Sequence, residues 1–250
     1  MYDLAAHRLT RLTNHISGLR PVGWTPDSRG VVFLAPDSAT SSSTFRVVTQ
    51  PWDGTAPPRE LIRLHLPALT FTMGPPHGYA AFSVYDVRAN AQRGDIWLVP
   101  LDTPSAARPF IATRAYAVEP RMSHDGQLLA YTSNESGRNE VYVRSLTDSA
   151  PPLRISEGGG TQPVWSTDDR DVYYRGPLQM MRANVARGAP MSVRRRDVLF
   201  EDRYDQQEMT DYDVFPSGKE LLMIQTNLVG MHVGVVMDWP ALLSQQAERR

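Results

Sequence analysis

One pattern recurs along the 250-residue chain: a short apolar run, a polar turn, a second run, a loop, a third run, another turn and a fourth run. The fullest copy reads VEPRM, SHDGQ, LLAYTS, NESGRN, EVYVRSL, TDSAPP and LRIS from Val118 onward. Copy one reads RPVGW, TPDSRG, VVFLA, TFRVVTQ, PWDGTAPP and ELIRL. Copy two reads ALTFT, MGPPHG, YAAFSVYD, DIWLVPL, DTPSAA and RPFIAT. Copy four gives TQPVW, STDDR, DVYYRG, MMRANV and DVLFED, and copy five gives TDYDVF, PSGKE, LLMIQT and MHVGVVMDW, without a fourth run. Each takes roughly 40 to 50 residues, the length of a four-stranded propeller blade.

The local chemistry of each run is that of a strand. Val, Ile, Tyr, Phe and Trp cluster in them, and Asp-Gly, Pro-Asp and Ser-Gly pairs punctuate them; Asp125-Gly126 is a hairpin signal. A β-sandwich has no reason to repeat one unit five times, whereas radial repetition leaves a propeller only short, protected edges. The expected fold is therefore all-β: a propeller of four-stranded antiparallel blades over 1–239, with blades near 14–63, 64–113, 114–157, 158–202 and 203–239. The alternation in HRLTRLT, 7–13, suits it to close the fifth blade into a ring; an open part of a six-bladed ring is the alternative. The segment 240–250 reads as a short C-terminal helix or tail.

Composition narrows the function classes. With 26 basic and 27 acidic residues the net charge is -1, which builds in no general attraction to nucleic acid or anionic lipid. There is no cysteine, so disulfides and thiolate chemistry are excluded, and none of the six histidines form an i, i+4 pair for a metal. The longest apolar runs, such as Leu221 to Ile224, are far shorter than the ~18 residues of a membrane span. No cofactor, metal, nucleic acid or membrane insertion is expected of this chain.

Motifs that carry catalysis are missing as well. No G-x-S-x-G elbow occurs, and the adjacent Ser, His and Asp of SHDG cannot form a relay. The carboxylate pairs Asp168-Asp169 and Glu201-Asp202 fall in hairpins or strand ends, which favours turn chemistry over a glycosidase pair. The run Arg194-Arg195-Arg196 reads as an outer, solvated strand, and Gly158-Gly159-Gly160 as a turn between blades. Trp24, Trp97 and Trp165 read as blade packing, Trp24 and Trp165 at the same place in their copies.

The turns TPDS, SHDG, STDD and FPSG resemble the Ser-Pro-Asp-Gly hallmark of TolB-like, WD40-like (PD40-type) β-propeller repeats of bacteria. The order of YDLAAHRLTRLT, GWTPDSRGVVFLA, LLAYTSNESGRNEVYVRSL and VVMDWPALLSQ is similar to the C-terminal propeller region of bacterial serine/threonine protein kinases. That resemblance implies a parent protein with a cytoplasmic kinase domain, a membrane helix and an extracytoplasmic propeller; a chain complete as given would be cytoplasmic. No Gly-rich phosphate loop, V-A-I-K, H-R-D or D-F-G is present, so phosphoryl transfer is not carried over.

The expectation is a non-catalytic binding or scaffold module, the sensory or protein-interaction part of a larger protein. Propellers that gate prolyl-oligopeptidase-like peptidases, and glycosidase-like propellers, are the alternatives. Propeller partners, proteins or small ligands, meet the face built from blade-to-blade loops and the loops between second and third strands. On that face the sequence places His15, Tyr116, Thr161, Gln162, Arg203 and Asp211 at junctions, and Asp86, Glu135 and Arg138 within blades.

Overall fold

A computed structural model describes residues 2–3, 8–9, 20–25, 27–36, 44–64, 68–85, 94–204, 210–227 and 230–236. After a two-stranded pair, β1 (Tyr2–Asp3) and β2 (Arg8–Leu9), four sheets of four antiparallel strands follow, each a meander in which consecutive strands pair. Blade one is β3 (Arg20–Trp24), β4 (Gly30–Pro36), β5 (Phe45–Pro51) and β6 (Arg59–Leu64). Blade two is β7 (Ala68–Met73), β8 (Tyr79–Tyr85), β9 (Gly94–Pro100) and β10 (Arg108–Ile111). Blade three is β11 (Ala117–Met122), β12 (Leu128–Ser133), β13 (Glu140–Ser145) and β14 (Leu153–Arg154). Blade four is β15 (Thr161–Trp165), β16 (Asp171–Gly176), β17 (Gln179–Ala186) and β18 (Ser192–Glu201). The fifth sheet has three strands, β19 (Tyr212–Val214), β20 (Leu221–Asn227) and β21 (Gly230–Val236).

First strands of successive blades lie against one another, β3 on β7, β7 on β11, β11 on β15 and β15 on β19, so they are the inner strands of a radial array. The ring is not closed. Arg8–Leu9, within the segment expected to complete blade five, pairs instead with Tyr2–Asp3, the nearest strand in sequence and the one that costs least loop entropy to reach. The expected C-terminal helix, 240–250, lies outside the described residues.

Four cores hold the blades together, one at each junction. Leu128 and Ala130 face blade four with Trp165, Val172 and Tyr174, while Leu129 and Tyr131 of the same strand face blade two with Ala81, Ile96 and Leu98. Period-two alternation thus sends both sets of side chains into apolar contacts, and every residue of β12 is buried. That is why the first four residues of LLAYTS read as an unbroken apolar run. Each such leucine or isoleucine contributes about 1.5–3 kcal/mol when fully buried.

The turns between first and second strands repeat one backbone. Thr25, Gly74, Ser123, Ser166 and Phe215 each donate their N–H to the carbonyl five residues on. The fourth turn residue is left-handed in every blade: Ser28, His77, Gly126, Asp169 and Gly218 have φ of 56, 61, 72, 56 and 67°. In blades one, three and four the Ser or Thr hydroxyl donates to the Asp two residues on, at 2.5, 2.7 and 2.7 Å. It also accepts the N–H of Gly30, Leu128 or Asp171 at 2.9 Å. The hydroxyl and carboxylate thereby satisfy turn N–H groups that no strand pairs.

The left-handed residue also makes the junction. A Cβ on Gly126 would sit 2.7 Å from Pro75 Cδ, so blade three's turn closes on blade two only with glycine there. In blade four Asp169 reaches back to blade three: its carboxylate accepts the N–H of His124 at 2.8 Å and of Asp125 at 3.0 Å, and meets His124 Nδ1 at 2.8 Å. Arg187 then pairs with Asp125, lies 3.8 Å from Asp169, and its guanidinium is 6.0 Å from the Trp165 ring centre. In blade five Gly218 O accepts Tyr173 Oη at 3.2 Å. Blade two differs, because His77 pairs with Asp102 of its own blade at 2.9 Å.

Trp24 and Trp165 share a repeat position but not a fate. Trp165 is 4% exposed and donates its Nε1–H to Arg121 O of blade three at 3.0 Å, whereas Trp24 is 51% exposed. The reading of both as blade packing is thus corrected: Trp165 packs on a preceding blade, and in an unclosed ring Trp24 is not covered in that way. Trp97 packs on the core between blades one and two. In the arginine run, Arg194 and Arg195 are exposed, while Arg196 spans to blade three, donating to Ile155 O at 2.6 Å and pairing with Glu157 at 3.0 Å. In the triple glycine, a Cβ on Gly160 would meet Ser156 at 2.6 Å, so this junction is close-packed.

The latch between blades three and four titrates. The hydrogen bond to Asp169 raises the His124 pKa above its ordinary 6.5 despite opposing burial. The charged pair therefore stabilises fully below about 6.5, and the contribution is lost as pH rises through the raised value. The urea midpoint of wild type minus that of His124→Gln is expected to be larger near about pH 5.5 than near about pH 8.5. An unchanged difference would show that the contact is only steric.

Candidate functional site

Two bulges in the inner strands shape the loop-side mouth of the propeller. In blades three and four the register shifts between Val118 and Arg121 and between Thr161 and Val164, around Glu119-Pro120 and Gln162-Pro163. Glu119 and Gln162 are left-handed, with φ of 54 and 55°, although a residue before proline ordinarily stays extended. Such backbone costs on the order of 1–3 kcal/mol and persists when neighbours hold it.

The neighbours are polar and buried. Glu119 Oε2 accepts the Thr132 hydroxyl at 2.7 Å and the Gln162 N–H at 2.9 Å, joining blade three to blade four. Gln162 O accepts the Tyr212 hydroxyl at 2.6 Å, joining blade four to blade five. Beneath Tyr212, 5.6 Å from its ring centre, the Arg175 guanidinium donates to Asp202 at 2.5 Å and to Asp211 at 2.8 Å. The Arg175 side chain is 1% exposed, and those of Asp202 and Asp211 are 0% and 4%. Burial pushes the Tyr212 hydroxyl well above its ordinary pKa, so it stays a donor. Burial also raises the Glu119 carboxyl, against the hydrogen bonds from Thr132 and Gln162 and the field of Arg121.

A second buried carboxylate sits behind the adjoining hairpin. Glu140, 2% exposed, accepts the Ser156 hydroxyl through Oε2 and the Gly159 N–H through Oε1 at 3.1 Å, and Arg138 lies 3.8 Å away.

Of the residues expected on this face, Gln162 and Asp211 enter the buried network. Thr161 is half-buried where β15 begins. Tyr116, also half-buried, makes two hydrogen bonds with Asn134: its N–H donates to the side-chain Oδ1 at 2.8 Å and its carbonyl accepts the Asn134 N–H at 3.1 Å. Glu135, Arg138 and Arg203 are exposed, Arg203 paired with Glu201 at 2.6 Å. His15 and Asp86 lie outside the described residues.

Sequence reasoning missed Glu119, Thr132, Arg175, Asp202 and Tyr212. The signal for the first was present: Glu119-Pro120 and Gln162-Pro163 place a polar residue before proline at the same step of two apolar inner strands. Among the described residues no group of three or more His, Asp or Glu is arranged to hold a metal ion. No helix there is long and apolar enough to cross a membrane.

Two substitutions probe the network. Arg175→Ala strands two buried carboxylates and is expected to cost about 3–5 kcal/mol in urea unfolding, the range for breaking a buried pair. Glu119→Gln tests the raised carboxyl. The folded state holds that proton above the ordinary value of 4.5, so wild-type stability falls as pH rises from there to the raised pKa. The Tm of Glu119→Gln relative to wild type is therefore expected to be higher at about pH 8 than at about pH 4. Equal differences would place the carboxylate in a solvated setting.

No family model and no curated protein matches the chain. Solved structures do. It aligns with TolB from Acinetobacter baumannii at TM-score 0.64 and 14% identity, over 87% of this chain and 51% of that one. The chain thus spans about half the length of that TolB structure. A protein assigned as TolB from Agrobacterium tumefaciens aligns at TM-score 0.60 and 16% identity, over 88% and 77%. A puromycin-hydrolyzing peptidase from Mycobacterium tuberculosis aligns at 0.56 and 18%, over 89% of this chain and 37% of the peptidase. With sheets set radially and one left-handed turn repeated in each, the chain has the fold of a TolB-like, WD40-like β-propeller.

Proposed function

We propose that the chain is a non-catalytic binding or scaffold module that recognises a protein through its loop-side face. The observation that carries this is a division of labour at the mouth. The carboxylates closest to the inner strands, Glu119, Asp202 and Asp211, are buried and engaged by Thr132, Gln162 and Arg175. The rim around them carries exposed Glu135, Arg138 and Arg203. A rigid floor with a charged, exposed rim suits recognition by complementarity. The similarity in order of segments such as YDLAAHRLTRLT and GWTPDSRGVVFLA to kinase-linked propellers supports a further reading, that this module is the sensory part of a larger bacterial kinase, with its partner outside the membrane.

The alignment with the mycobacterial peptidase favours a second reading, a propeller that gates a peptidase.

The experiment uses the purified chain as bait, with a Glu135→Ala, Arg138→Ala, Arg203→Ala triple variant as its control. A partner captured by wild type and lost by the triple variant is expected, with both chains inert towards a peptide and glycan panel. Hydrolysis of any panel member by the purified chain overturns the reading, as does capture that the triple variant retains.

A further inference from the structure

On the opposite face, where first-to-second and third-to-fourth strand turns gather, the junction between blades one and two holds an open cleft of about 570 Å³. Its lining is mostly apolar, with Leu61, Ile62, Met73 and Leu101 among the residues that form it. That volume lies within the range of small-ligand sites.

One repeat position that lines the cleft departs from its counterparts. At the next three junctions the left-handed turn residue meets the adjoining blade: Gly126 on Pro75, Asp169 on His124 and Asp125, Gly218 on Tyr173. At the first junction that position is His77, and its Nδ1 turns to Asp102 at 2.9 Å within blade two. The position of a latch is left as a wall of the cleft.

The charges that line the cleft are unevenly committed. Asp27 accepts the Thr25 hydroxyl at 2.5 Å and the Arg29 N–H at 3.0 Å, and these bonds hold its carboxyl below the ordinary range. Asp102 is taken by His77. Arg59 is exposed, and so is Arg29, whose guanidinium acts on Asp27 through its field while its N–H donates to the same carboxylate. Two guanidinium groups thus stand beside an apolar floor whose carboxylates already have partners. Guanidinium pairs with carboxylate in a two-pronged geometry that fixes orientation as well as charge.

We propose that this cleft binds a carboxylate carried on an apolar body, with Arg59 and Arg29 receiving the carboxylate and the floor of Leu61, Ile62, Met73 and Leu101 receiving the body. A free small acid and the carboxyl terminus of a peptide present the same group. The site is separate from the loop-side face, so either can fail without the other.

Calorimetric titration of the full chain with 2-naphthoate and with acetyl-Leu-Leu tests it, each beside its neutral amide. At least one acid is expected to bind, its amide at least tenfold more weakly, and Arg59→Glu to weaken the acid at least tenfold. Arg194→Glu, exposed on the outer strand of blade four, is expected to leave it unchanged. Tighter binding of 2-naphthoate identifies a free acid, and tighter binding of the dipeptide a chain end. Arg59 is exposed, and circular dichroism of the variant confirms its fold. The proposal is overturned if neither acid binds, if the amides bind equally, or if Arg59→Glu binds as wild type does.

Discussion

The second strand of blade three, β12, is buried on both faces, and the rest of the structure depends on the constraint this sets. A sheet such as blade three cannot bury Leu128 and Ala130 on one side and Leu129 and Tyr131 on the other unless a neighbour stands against each. The cores are accordingly not within blades but between them. Blades are then stabilised by nearest neighbours, as in other repeat proteins, and among the described residues an end blade has one core where an inner blade has two. Trp24 and Trp165 show what that difference does to identical side chains at equivalent positions.

The inner turns convert this one-dimensional arrangement into fixed geometry. Each needs a left-handed residue, and glycine is the cheap solution. The chain uses glycine in blades three and five, yet places Ser28, His77 and Asp169 at the same step. Asp169 offsets its backbone cost with bonds to two N–H groups and an imidazole of the blade before it. It also sets up the cluster in which Asp125 sits: burial would raise that carboxyl, but Arg187, Ser123 and the Gln127 N–H together hold it down at about 2.

The propeller and the strand-turn-strand order of each blade were legible because alternation, Asp-Gly turns and β-branched residues are local signals, and repetition multiplies them. Closure was not legible. HRLTRLT carries the alternation of an edge strand, but alternation does not say which edge it will join, and Arg8–Leu9 joins its nearest neighbour in the chain. The loop-side face was located by topology alone, which reached Gln162 and Asp211 and missed their partners. Arg175 follows Val172, Tyr173 and Tyr174 near the end of its strand, and nothing in DVYYRG says that its guanidinium points inward to Asp202 and Asp211 from beyond the strand.

A repeat protein carries its own comparison set. Positions that hold one role in every blade, such as the turn N–H that donates five residues on, report what the fold requires. Positions that hold one backbone conformation but different chemistry report where the blades have parted. Glu119 and Gln162 share a left-handed bulge, yet one brings an ionisable carboxyl into a buried setting where the other brings an amide. His77 and Asp169 share a turn, yet one closes on its own blade and the other on its neighbour. These departures lie at the first-to-second turns and at the inner-strand bulges, beside the cleft between blades one and two and the loop-side mouth, which ties any specificity of this propeller to those two places.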